Sequence, residues 1–190
     1  MSNIVSKVVY FNESGSQNTD KTLKLAKERA EKIGIQNIVV PSYSGATGVK
    51  ASEVFRGYNL VVVAGVSGFK EPNFHMLLPE NRSIIERNGG KIVIAAHAFG
   101  TLGRAVRRRF GAIQVDEIIA HVLRLFGQGV KVACEVTCMA TDAGLIKTDE
   151  EAIGLGGSRN GVDTAIVLKP SNTHTFFDIR IKEIICKPRL

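Results

Sequence analysis

The chain has 190 residues, 25 of them basic and 18 acidic, for a formal net charge of +7; 44% are hydrophobic and 23% charged. That length suits a single domain over residues 1–190, able to bury a core without disulfide or metal staples. No apolar run approaches the roughly 20 residues of a membrane span, and three cysteines make neither a disulfide framework nor paired zinc knuckles.

The charge excess suits a solvated basic surface first, and then attraction to nucleic acid or to a phosphorylated small molecule. The chain has no Trp and only 6% aromatic residues, which argues against a stacking platform for single strands. Residues Met1 to Lys7 lack the charged start and long apolar stretch of a secretory signal. The odd cysteine count suits a reducing compartment. A cytoplasmic protein with no membrane association is expected.

Along the first half, two periods alternate. Val8 to Phe11 reads as a strand. Asn18 or Thr19 caps a helix whose Leu23, Ala26, Ala30 and Ile33 follow helical spacing. Asn37 to Val40 is a second strand, and Asn59 to Ala64 a third, apolar throughout like a strand buried on both faces. Pro79 opens a helix that Gly89-Gly90 ends, with Ile84 and Ile85 turned inward. Lys91 to Ala96 is a fourth strand.

The middle is helical. Val115, Ile118, Ile119, Val122, Leu123 and Phe126 form one amphipathic repeat, and Val132, Val136, Met139, Ala140 and Ala143 another, ended by Gly144. Strands return at Ala152–Leu155, Thr164–Leu168 and Ile179–Cys186, at least one of them antiparallel across a short Gly-rich turn. The rhythm predicts an α/β fold with a mostly parallel, mixed sheet covered by helices on both sides.

Ligands of open α/β sheets sit beyond the carboxyl ends of the strands. Four consecutive strand ends here are rich in Gly, Ser or aromatic residues: Ser42 to Gly48, Gly65 to Lys70, His97 to Gly100 and Gly156 to Gly161. In the first, Ser42, Ser44, Gly45, Ala46, Thr47 and Gly48 run straight into a helix. Glycines there bare backbone N–H groups, hydroxyls add donors, and the helix start carries partial positive charge. The loop therefore suits a phosphate, although Ser44 also serves simply as a helix cap. It is neither GxxxxGK[ST] nor GxGxxG, which argues against a standard nucleoside triphosphatase or nicotinamide site.

The string IVVPSYSGATGVKASEVFRGYNLVVVAGVS (residues 38–67) resembles the C-terminal α/β domain of pyruvate kinase, where such a Ser/Thr-rich loop opens a helix and, in regulated members, holds an effector phosphate. This likeness spans roughly residues 5–100 and departs at Gly48, where pyruvate kinases usually carry a bulkier residue. With EVTCMATDAGLI (135–146) and AIGLGGSRNGVDTAIVL (152–168), the whole chain resembles a stand-alone, mostly archaeal family of pyruvate-kinase-C-terminal-like proteins. The resemblance implies a three-layer α/β/α fold and flavin mononucleotide, FMN, in the strand-end cleft. The pyruvate kinase barrel is absent, so phosphoenolpyruvate chemistry is not implied.

For such a flavin, Ser42 to Thr47 would hold the phosphate, and Gly65, Ser67 and Gly68 would let backbone approach. Phe69, His97 and Phe99 would flank the ring, although both phenylalanines suit ordinary core packing equally well. Gly156, Gly157 and Ser158 would add polar contacts, with Asp163 and Thr164 behind. His97 reads either as a proton-transfer group or as a hydrogen-bonded structural histidine. No Ser-His-Asp set or paired acid and base appears, so no catalytic residue is assigned.

Cys134 and Cys138 at i, i+4 do not complete a metal site and read as small buried residues. Glu135 beside them is either buried and paired or exposed. Arg104, Arg107, Arg108 and Arg109 form a basic cluster that suits solvent by default, and nucleic acid or a partner subunit of a homo-oligomer otherwise. A non-catalytic sensor of a phosphorylated metabolite stands beside the flavin reading.

Overall fold

The computed structural model describes residues 3–189; Met1 and Ser2, which begin the N-terminal stretch read above, and Leu190 lie outside the described residues. The strands are β1 (Val9–Phe11), β2 (Asn37–Pro41), β3 (Asn59–Val63), β4 (Lys91–Val93), β5 (Ala152–Gly156), β6 (Thr164–Lys169) and β7 (Arg180–Pro188). The helices are α1 (Thr19–Ile33), α2 (Ala46–Val54), α3 (Pro79–Arg87), α4 (Thr101–Phe110), α5 (Val115–Arg124) and α6 (Gln128–Asp142).

All seven strands share one sheet in the order β1-β7-β6-β5-β2-β3-β4. Neighbours are parallel except that β6 runs antiparallel to both β5 and β7. The fold is thus α/β with a mixed, mostly parallel sheet, as the alternating periods predict.

Successive strand residues point to opposite faces, and the central strands feed two cores. Ile38, Val40, Leu60 and Val62 pack with Leu23, Ala26 and Ala30 of α1, Ala51 of α2 and Ile85 of α3. Val39, Val61 and Val63 pack on the other side with Val136, Met139 and Ala140 of α6. Three layers result, with α6 crossing β5 at close range. A Cβ built on Gly154 would lie 3.0 Å from the Ala133 carbonyl oxygen, and one on Gly156 would overlap the Gly129 carbonyl. This close approach brings the first turns of α6 to the carboxyl ends of the parallel strands, beside the loops where ligands of such sheets bind.

Three expectations change. The fourth strand stops at Val93 rather than Ala96, because β4 is an edge strand whose pairing ends where β3 ends, at Val63; Ile94 beyond it is 42% exposed. The fifth strand runs one residue further, so Gly156 belongs to the ladder opposite Thr164. The Val115–Phe126 repeat does form a helix, but much of its apolar stripe faces outward. No helix among the described residues is long and apolar enough to cross a membrane.

Candidate functional site

A cleft of about 660 Å³ opens at the carboxyl ends of β2, β3 and β5. Its first wall is the loop after β2. The Ser42 N–H donates to the Val63 carbonyl at 2.9 Å, which extends the ladder. The Ser42 hydroxyl then accepts from the Gly48 N–H, an amide in the first turn of α2, at 3.0 Å. Ser44 plays a weaker part: its hydroxyl is 3.4 Å from the Ala46 N–H, while its carbonyl accepts from the Leu78 N–H and from Asn81 Nδ2. Gly45 has φ +92°, and a Cβ there would sit 2.6 Å from that of Asn81. Only glycine lets the chain turn this tightly against α3. Thr47 lines the cleft, and neither its amide nor its hydroxyl has a hydrogen-bond partner among the described residues.

The second wall is the β5–β6 turn, Gly157 to Gly161. Asp163, fully buried, organises it. One carboxylate oxygen accepts from the Gly15 N–H at 3.0 Å and the Ser158 N–H at 3.2 Å; the other accepts from the Thr164 hydroxyl at 2.9 Å. The Val162 N–H reaches the Thr19 hydroxyl at 3.2 Å, so Ser16 and Thr19 at the start of α1 join this side. The Ser158 hydroxyl is buried and has no hydrogen-bond partner among the described residues. Buried polar groups ordinarily find one, so this oxygen is a place where a ligand acceptor fits.

Helix α6 forms the third wall with Gln128, Lys131, Val132, Glu135, Val136 and Met139. Lys131 and Glu135 form a buried ion pair. The other Glu135 oxygen accepts from the Phe99 N–H at 3.0 Å. Burial pulls the Lys131 ammonium below the usual lysine value, against the opposing pull of Glu135.

Aromatic rings close the remaining side. Tyr43, Phe69 and His97 form a triangle with centroids 5.4 to 6.1 Å apart. The Tyr43 hydroxyl lies 3.1 Å from His97 Nε2. Burial holds His97 below the ordinary histidine value, with Glu135 opposing and Lys131 and Arg104 reinforcing. Burial likewise raises the Tyr43 phenol. The Arg104 guanidinium stands 5.5 Å from the Phe69 centroid. Five basic residues line the cleft (Lys50, Arg104, Arg124, Lys131 and Arg159) against one acidic residue, Glu135. Lys50 pairs with Asp20 at 2.7 Å, and Arg124 donates to Gln128 at 2.7 Å.

The structure therefore gathers Ser42, Ser44, Ala46, Thr47, Gly65, Phe69, His97, Gly157 and Ser158 around one cavity. Six expected site residues are not on its lining. Gly45 turns toward Asn81, and Gly48 lies against Ile85 and Val62, where it lets α2 pack. Ser67 and Gly68 line a smaller hollow of about 170 Å³ that shares Phe69 and Arg104 with the cleft. Phe99 is core, edge-on to Phe176 at 5.2 Å. Gly156 is pressed against α6.

Lys131, Arg124, Gln128, Ser16 and Lys50 were not singled out from the sequence, and Thr19 was read only as a helix cap. One signal for them existed. Lys131 and Glu135 are charges set in a run of small and apolar residues, Val130 to Ala140, which on a helix buried all round points to a site.

Cys134 and Cys138 are buried free thiols, and no group of three metal-ligating side chains occurs among the described residues. The arginine cluster is divided: Arg104 turns to the cleft and Arg107 pairs with Glu117 at 3.0 Å, which leaves Arg108 and Arg109 exposed. No protein-family model matches the chain.

Proposed function

We infer that the cleft binds a phosphate-bearing small molecule with a flat ring, FMN foremost. One observation carries this reading: a cation-rich cleft has unpartnered polar groups at one end and three aromatic rings at the other. Thr47 and the orphaned Ser158 hydroxyl supply donors for a phosphate, and the α2 dipole adds to the surrounding positive charge. Tyr43, Phe69 and His97 would hold the ring, and Met76 and Met139 supply soft apolar surface beside it.

Bound flavin would supply redox chemistry. The chain's own part is to exclude water with the aromatic triangle and to hold a proton between the Tyr43 oxygen and His97 Nε2. The likeness to the pyruvate-kinase-C-terminal-like proteins supports the same ligand. The three free cysteines suit a reducing compartment, and we place the protein in the cytoplasm on that ground.

The test is the visible spectrum of the purified protein, followed by titration with FMN and with riboflavin, reading flavin fluorescence. FMN should bind at least tenfold more tightly than riboflavin, because only FMN carries the phosphate. Equal affinity, or no binding of either, would overturn the reading. A second reading is a sensor of a phosphorylated metabolite without chemistry. It is favoured by the mutual pairing of the titratable groups, Tyr43 with His97 and Lys131 with Glu135. A colourless protein that binds sugar phosphates but not FMN would support it.

A further inference from the structure

Helices α4 and α5 form a hairpin on the outside of the molecule. Helix α4 packs chiefly on α5, and α5 in turn packs on α6. The α4–α5 contact is close: Gly103 lies against the Asp116 carboxylate, and Arg107 pairs with Glu117. The outer face of the hairpin is apolar. Leu125 is 82% exposed, Leu102 78%, Phe110 74% and Val115 70%, and Ile118 and Val122 are about half exposed.

Along α5 and its C-terminal cap, the exposed residues Val115, Ile118, Val122 and Leu125 fall at i, i+3, i+7 and i+10, a stripe along one side of the helix. At roughly 100 Å² for each large side chain, the eight residues of the face, Ile113 and Phe126 included, offer on the order of 800 Å². That exceeds the few hundred Å² of apolar patch that a monomer usually exposes. It also matches what each partner contributes to a standard interface.

We propose that a second copy of this chain covers the face, so that the protein is a homodimer with α5 at its centre. The chain carries +7 overall, so two copies repel at most approaches, and an interface between them needs a face free of that charge. The α5 stripe, however, carries no Lys, Arg, Asp or Glu, and Arg108 and Arg109 stand at one end of the hairpin, where an interface rim is polar. A helix seated on an anionic lipid surface carries Lys or Arg along its polar face, whereas α5 carries Asp116 and Glu117 against one arginine, Arg124. A two-fold axis lets one patch satisfy itself and closes the assembly. Arg104 extends from the same hairpin to the cleft, so pairing also braces that wall.

The test is sedimentation velocity of the full chain across a micromolar concentration range, for the wild type and for Val122→Glu and Leu125→Glu. The wild type should run with the mass of two chains, and each variant as a monomer with an unchanged circular dichroism spectrum. A wild type that stays monomeric, variants that stay dimeric, or a monomeric wild type that floats with phosphatidylserine vesicles would each overturn the proposal. Should the variants lose structure, hydrogen exchange of the wild type decides the matter. Amides 101–126 should gain protection as concentration rises, and concentration-independent exchange there would refute the dimer.

Discussion

The Tyr43 hydroxyl and His97 Nε2, 3.1 Å apart, join the loop after β2 to the loop after β4 across the mouth of the cleft. Burial lowers the His97 value from 6.5, so folding favours the neutral ring. The unfolded chain binds more protons than the folded one between that lowered value and 6.5. Stability should therefore rise with pH through this window and be lost as pH falls through it. Imidazole NMR should place the His97 titration below 6.5, and His97→Gln should flatten this part of the pH–stability curve. A titration at or above 6.5 would contradict the burial argument.

Gly65 supports the same ring pair. A Cβ at this position would meet Tyr43 Cε1 at 2.5 Å, and its φ of +84° disfavours any side chain. Gly65→Ala should cost about 1–3 kcal/mol in urea unfolding. It should also move the Tyr43 ring, and with it the His97 chemical shifts. A variant as stable as the wild type with unmoved His97 signals would show that the loop adapts.

Removing one hydroxyl tests the phosphate end. Thr47→Val keeps the shape of a side chain that lines the cleft and takes away a donor with no partner among the described residues. Affinity for FMN should fall roughly tenfold, about 1.4 kcal/mol, while affinity for riboflavin should not change. Gly45→Val is a poorer probe, because it meets Asn81 and strains the turn.

The Lys131–Glu135 pair is buried at both ends. Glu135→Gln leaves an ammonium without its counter-ion and should cost about 3 kcal/mol or more. The combination Lys131→Met with Glu135→Leu should recover most of that loss while weakening anion binding. Chemical denaturation of the single and double variants supplies the cycle. Equal losses in both would mean that the charge pair stabilises the fold as such.

Burial pushes the Cys134 and Cys138 thiols up to about 12 and that of Cys186 to about 11. Native protein should therefore be inert to a thiol-specific reagent at neutral pH and should release three equivalents only on unfolding. Rapid labelling of the folded chain would contradict this burial.

The sheet was legible because doubly covered strands must be apolar on both faces, as Ile38–Val40 and Leu60–Val63 are. The helix periods of α1 and α6 were equally plain. The strand-end loops do meet around one cleft, with nine of the residues expected there on its lining and six off it. Gly48 and Gly156 are glycine for the sake of helix packing, and composition does not distinguish that from access to a ligand. Phe99 suited ring and core alike from sequence, and its place opposite Phe176 depends on residues 77 positions away. Lys131 and Glu135 at i, i+4 have the spacing of a solvent-exposed helix pair; only the small and apolar run around them pointed inward, and the close contact of α6 with β5 buries them. The α5 stripe had the periodicity of a core-facing helix, and periodicity cannot say whether the surface it faces belongs to the same chain.

The parallel pairing of β1 with β7, Val9 opposite Cys186, sets a timetable for synthesis. Because β1 is an edge strand with β7 as its neighbour in the sheet, it waits for 177 further residues (186 − 9) to leave the ribosome, roughly 10–35 s at common elongation rates. The turn and Asp163 that anchor Gly15 and Thr19 leave the ribosome before β7 does. The lining of the cleft, which ends at Gly161, is therefore in hand while β1 still awaits its neighbour in the sheet.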